Sequence, residues 1–122
     1  MIIRNWRDTI PYVGHESKII WPIFTQSGKE DAQPPESACL LGLSQLTRHV
    51  IQGRVTSDYH DHENVEQVYY FVRGSGKMCI DDQEYPVTAG DAVHLPPKTK
   101  HQVINDGEEE IEYLNISAIV ES

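Results

Sequence analysis

Three histidines stand where imidazoles can converge. His60 and His62 are two residues apart, so on extended backbone both rings project from one face. Paired imidazoles are half of a metal site. They suit iron, manganese, nickel, zinc or copper rather than calcium. A further donor must come from elsewhere on the same wall. Glu66 or Gln67, just past a short turn, has the spacing for it, and His101, after Pro96-Pro97, would complete the set. Strand parity separates the first two: Gln67 shares a face with Tyr69 and Phe71, Glu66 with Val68, Tyr70 and Val72. Parity favours Gln67, with Glu66 as the alternative. With Gln67 the donor set carries no charge, so a bound cation keeps its full Lewis acidity. Tyr69, two residues on, places a phenol on the same face as a candidate acid or base, or as a packed aromatic. His94 alternates with core-like Val93 and Leu95 and is expected to face away. His15 and His49 have no spacing support.

These side chains need rigid strands to hold them. Alternating or β-branched stretches run from Lys18 to Phe24, Leu40 to Ile51, Val68 to Val72, Lys77 to Ile80, Tyr85 to Val87, Ala92 to Leu95, His101 to Ile104 and Ile111 to Val120. Turn residues punctuate them at Gly53, Gly74-Ser75-Gly76 (read as a hairpin turn), Asp81-Asp82, Ala89-Gly90-Asp91 and Asn105-Asp106-Gly107. No capped helix longer than about two turns is expected. Many short strands at close spacing predict an all-β fold, a jelly-roll barrel that leaves few exposed strand edges. Residues 1–37 read as an N-terminal strand arm and loop, and residues 38–122 as the barrel, one domain overall. The apolar strand in the arm must pack on its own barrel or on a second subunit, so a homodimer is expected. Trp6 and Trp21 are expected to pack rather than to bind ligand, and Asn105 to shape its turn.

The chain has 122 residues, enough for one domain that folds without disulfides. A net charge of −9, from 19 acidic and 10 basic residues, with the basic ones scattered, speaks against nucleic acid and anionic membranes as partners. A small molecule is the expected partner. The two cysteines, Cys39 and Cys79, and the lack of a leader-like or roughly 20-residue apolar run fit a cytoplasmic protein with free thiols.

With these residues in view, the chain resembles the cupin superfamily, which carries two motifs. Gly53, His60, His62, Glu66 or Gln67, and Gly74 match the first. Gly90, Pro96, His101 and Asn105 match the second, with Lys98 where the family pattern has Gly. The resemblance covers about Ser44 to Val120. It implies a double-stranded β-helix barrel holding one divalent transition metal (Fe, Mn, Ni or Zn) on His60, His62, His101 and Gln67. Some cupins use Gln at this position, and six residues before Gly74 is the commoner spacing. Some cupin lyases have a Tyr two residues after the ligand, as Tyr69 lies after Gln67. The implied function is a metal-dependent isomerase or lyase acting on a small carbonyl or carboxylate substrate. The alternatives are an iron-dependent dioxygenase and a non-catalytic small-ligand or sensor cupin. Cupins that linearise unsaturated uronates place an Arg on late strands, and this chain has no Arg after Arg73.

Overall fold

A computed structural model describes residues 1–121. Ten strands form two facing sheets: β1 (Tyr12–Gly14), β2 (Lys18–Gln26), β3 (Ala38–Leu40), β4 (Leu43–Ile51), β5 (Val65–Arg73), β6 (Ser75–Ile80), β7 (Gln83–Thr88), β8 (Ala92–Leu95), β9 (His101–Ile104) and β10 (Ile111–Ile119). The larger sheet runs β1-β2-β4-β10-β5-β8, with β3 parallel beside β2, and the smaller runs β7-β6-β9. The alternation in β10, where Ile111, Tyr113, Asn115 and Ser117 are buried, is the period-2 signature of a wall with one face inward. Between the sheets lies the apolar core, built on Phe71, Met78, Leu95, Val103, Ile111 and Tyr113. This is the all-β jelly roll expected. Among the described residues no helix is long and apolar enough to cross a membrane.

Several local expectations change. Gly74-Ser75-Gly76 is not a hairpin turn: β5 pairs with β10 and β8, whereas β6 pairs with β7 and β9. The chain crosses from one sheet to the other there. Gly74 sits at φ +91, where a Cβ would also lie 2.5 Å from the Glu110 carbonyl oxygen, so the corner needs glycine twice over. The real two-residue hairpin is Asp81-Asp82, both at positive φ, joining β6 to β7. The stretch from Leu40 to Ile51 is two strands broken at Leu41-Gly42, and β1 was not anticipated. The N-terminal strand β2 pairs along β4 of its own chain and is an interior strand of the large sheet, flanked by β1. Trp6 and Trp21 close on Arg48 outside that sheet. Its guanidinium lies 3.6 and 4.4 Å from their ring centres and forks onto Glu112 with two 3.0 Å bonds. That clamp ties the first residues to β2, β4 and β10.

Asn105 does more than shape a turn. It is buried, and its Nδ2 donates to the carbonyls of Ile51, Gln52 and Glu109 while its Oδ1 accepts from Gly107 N–H. One side chain thus pins the β9–β10 loop to the end of β4. Asn105→Ala is expected to cost about 3 kcal/mol, because buried carbonyls lose their donor. Calorimetry would register that as a Tm roughly 10 °C lower; a change under about 2 °C would show that water replaces the amide.

Candidate metal centre

Neither His60 nor His62 lies on a regular strand, contrary to expectation. They belong to the connection between β4 and β5, which runs beside the free edge of β9. Thr56 bridges Ile104 and His60 bridges His101. The second bridge is two-sided: His60 N–H donates to His101 O at 3.1 Å, and His101 N–H to His60 O at 2.8 Å. The backbone is extended there, so the His60 and His62 rings still reach one space. His62 is held in turn by Lys98, whose N–H donates to the His62 carbonyl at 2.6 Å. Lys98 makes this bond from φ +67, so it keeps the backbone shape of the glycine that the motif calls for.

The three rings converge. Centroids lie 4.8 Å apart for His60 and His62, 4.5 Å for His60 and His101, and 5.9 Å for His62 and His101. One ligand nitrogen from each lies within 4.8 Å of the others. Two tautomers follow from the bonds made on the other side of the rings. His101 Nδ1 is 2.8 Å from Thr99 O and His60 Nδ1 3.3 Å from Asp58 O. A carbonyl only accepts, so each Nδ1 carries the hydrogen and each Nε2 presents a lone pair. Both Nε2 atoms are buried with no partner. Gln67 repeats the pattern: its Nε2 donates to Asn115 Oδ1 at 3.3 Å, and its Oε1 is buried and unpartnered. Buried acceptors are ordinarily satisfied. Three unsatisfied ones are the surroundings a metal cation fits, and the neutral N,N,O donor chemistry is right for a borderline divalent ion.

Glu66 points the other way. It lies on the outer face of β5 with its Oε1 2.8 Å from His94 Nε2, so the structure brings neither Glu66 nor His94 to the cluster. Tyr69 is buried, its ring edge-on to His101 at 5.7 Å and stacked on Tyr113 at 4.5 Å. Burial pushes its phenol above the usual range, so it holds its proton at neutral pH.

Four neighbours escaped the sequence reading. His15, on the β1–β2 turn, stacks on His60 with centroids 4.6 Å apart. Asp58 Oδ1 is 3.4 Å from Nδ1 of both His15 and His60. The same parity that links His60 to His62 also reaches Asp58, and that signal was readable. Lys18 is fully buried, its Nζ 5.3 and 5.4 Å from the Tyr69 and Tyr113 ring centres, and burial brings its ammonium down to about 8. A lysine in register with buried Ile20 was visible too. His49, set aside for want of spacing, is buried between Thr47 (2.8 Å) and the Tyr113 hydroxyl (3.1 Å).

Burial is the largest cause holding His60, His62 and His101 below the ordinary imidazole range, with His101 brought to about 4. Asp58 partly offsets this at His60. In the unfolded chain these rings titrate near 6.5. Below that pH the unfolded state takes up protons that the folded state refuses, so a contribution fully present above 6.5 is lost as pH falls toward 4. Calorimetry on metal-free protein should find a declining Tm across that window, and His101→Gln should make the decline shallower. Identical slopes in the two proteins would contradict the assignment.

Comparison with known proteins agrees with this architecture. The sequence profile of the cupin domain matches residues 47–117. The uncharacterized protein MJ1618 of Methanocaldococcus jannaschii is 36% identical over 100 residues, covering 81% of this chain and 80% of that protein. A predicted oxalate decarboxylase of Thermotoga maritima superposes with a TM-score of 0.80 at 17% identity, covering 98% of this chain and all (100%) of that one. The polyketide cyclase RemF of Streptomyces resistomycificus gives 0.77 at 17% identity, covering 99% and 80%. The two structural likenesses speak for fold alone. By the profile match, which spans more than half of its length, this chain belongs to the cupin domain family.

Proposed function

We propose that this cupin is a metal-dependent enzyme that acts on a small carbonyl- or carboxylate-bearing molecule, as an isomerase or lyase does. The observation that carries the reading is the trio of buried, unpartnered acceptors, His60 Nε2, His101 Nε2 and Gln67 Oε1, beside His62. These four residues would hold one divalent ion, with iron, manganese, nickel and zinc as the candidates. When bound, such an ion supplies a Lewis acid that polarises a substrate oxygen.

The protein's own groups do the rest. Asp58 and Thr99 carbonyls fix the tautomers of His60 and His101, and Asn115 fixes the amide of Gln67, so all three offer lone pairs before any ligand arrives. Tyr69, kept protonated by burial and with its ring edge-on to His101, would hold a proton at Oη for delivery to the substrate. The outward turn of Glu66 favours this non-redox reading over an iron dioxygenase, because it leaves β5 with a neutral amide, Gln67, beside the three histidines where a two-His, one-carboxylate triad would draw a carboxylate from that strand.

Mass spectrometry of protein purified without a metal-affinity tag should find about one equivalent of a transition metal. His60→Ala should lose it, Gln67→Ala should weaken retention about tenfold or more, and Glu66→Ala should leave it unchanged. Loss with Glu66→Ala rather than Gln67→Ala would overturn the ligand assignment. No metal after reconstitution with each of the four ions would overturn the reading itself. Tyr69→Phe should keep the metal and lower turnover of any substrate the loaded protein converts by about 100-fold. Unchanged turnover would return Tyr69 to a packing role.

A further inference from the structure

The wall beside the histidines is a row of uncharged hydrogen-bonding side chains. Across the large sheet Thr25 is in register with Gln45, Gln45 with Ser117, and Ser117 with Gln67. One cross-strand row therefore runs from β2 to the candidate ligand on β5. Its internal bonds are directional: Gln45 Nε2 donates to Ser117 Oγ (3.3 Å), Ser117 Oγ donates to Asn115 Oδ1 (3.2 Å), and Gln67 Nε2 donates to the same oxygen (3.3 Å). These bonds engage both amide nitrogens. They leave two buried oxygens in the row without partners, Gln67 Oε1 and Thr25 Oγ1, the latter on a residue only 8% exposed. Three residues of this row, Thr25, Gln45 and Gln67, line a pocket of about 480 Å³ that also touches His62 and has Lys29 as its one charged lining residue. No lining residue is acidic, although the chain carries 19 acidic residues. Deeper in the barrel, the buried Lys18 ammonium lies against the Tyr69 and Tyr113 rings.

Gln67 Oε1 has a candidate occupant in the metal; Thr25 Oγ1 has none. A hydroxyl that is buried and unbonded in the free protein is a group waiting for a ligand atom, and a wall of neutral donors and acceptors recognises hydroxyls rather than methylenes. We propose that this row is the specificity wall of the pocket and that its ligand is a small acid bearing several hydroxyl groups, which bond to Thr25 and Gln45 while the acid or carbonyl end lies at the histidines. The proposal rests on the metal-site reading above and adds the substrate class to it. It also gives β2 a direct part in recognition, through Thr25.

Calorimetric titration of manganese-loaded protein tests it with two six-carbon acids, gluconate with five hydroxyls and hexanoate with none. Gluconate should bind at least about tenfold more tightly, since a site built to bond hydroxyls penalises their loss. Thr25→Val, nearly the same shape without the hydroxyl, should reduce gluconate affinity about threefold or more, and Thr25→Ser should restore it, with metal content equal in all three proteins. Equal affinity for the two acids, no binding of gluconate, or a Thr25→Val protein that keeps the full preference would each overturn the proposal. If manganese does not load, the titrations are run with whichever of iron, nickel or zinc does; a protein that takes up none of the four fails the metal reading instead, and the same titrations on the metal-free protein then still report whether the wall prefers hydroxyls.

Discussion

The site hangs on a pair of backbone hydrogen bonds between His60 and His101, 3.1 and 2.8 Å long. They join a connection with almost no regular structure to the free edge of β9, and so set two imidazoles side by side, their centroids 4.5 Å apart and their planes tilted by 58°. Everything nearby depends on that pairing. Lys98 holds His62 from the other side, His15 stacks on His60, and Asp58 reaches both rings from two residues upstream. Unpaired, the segment would have the freedom of any surface loop, and ordering it around a ligand would cost roughly 1–2 kcal/mol of backbone entropy per residue. The fold meets that cost in advance.

Orientation is the second constraint, and it is imposed from behind. Each group that turns a lone pair inward does so because its other polar atom is occupied: His101 by Thr99 O, His60 by Asp58 O, Gln67 by Asn115. Asn115 in turn is shared with Ser117, and Ser117 with Gln45. The polar network on the large sheet and the candidate ligand Gln67 are therefore one arrangement, which explains why hydrophilic side chains were worth burying in a barrel this small. Their cost of desolvation is offset by bonds among themselves, and two oxygens, Gln67 Oε1 and Thr25 Oγ1, are left unbonded.

Much of this was legible in the residues. The His60-x-His62 pair, the later His101 and the parity of Gln67 with Tyr69 need only local spacing, and the all-β pattern needs only alternation and turn chemistry. What stayed hidden depends on which strands meet. Thr25, Asn115 and His15 carry no signal in their own neighbourhoods; registers linking β2 to β4 and β4 to β10, and a turn packed over His60, bring them in. Gly74 misled for a related reason. A glycine that turns a hairpin and one that passes the chain between sheets look alike in sequence, and only pairing tells them apart. Asn105 hid its role because two of its four partners, the Ile51 and Gln52 carbonyls, lie more than fifty residues away.

The most direct test of the account is anomalous diffraction from crystals of the protein loaded with a single transition metal, collected above and below its absorption edge. One dominant peak is expected within bonding distance, about 2.0–2.3 Å, of His60 Nε2, His62, His101 Nε2 and Gln67 Oε1. A peak on the outer face at Glu66 and His94, one held by His15 and Asp58 instead, or no peak at all would contradict it.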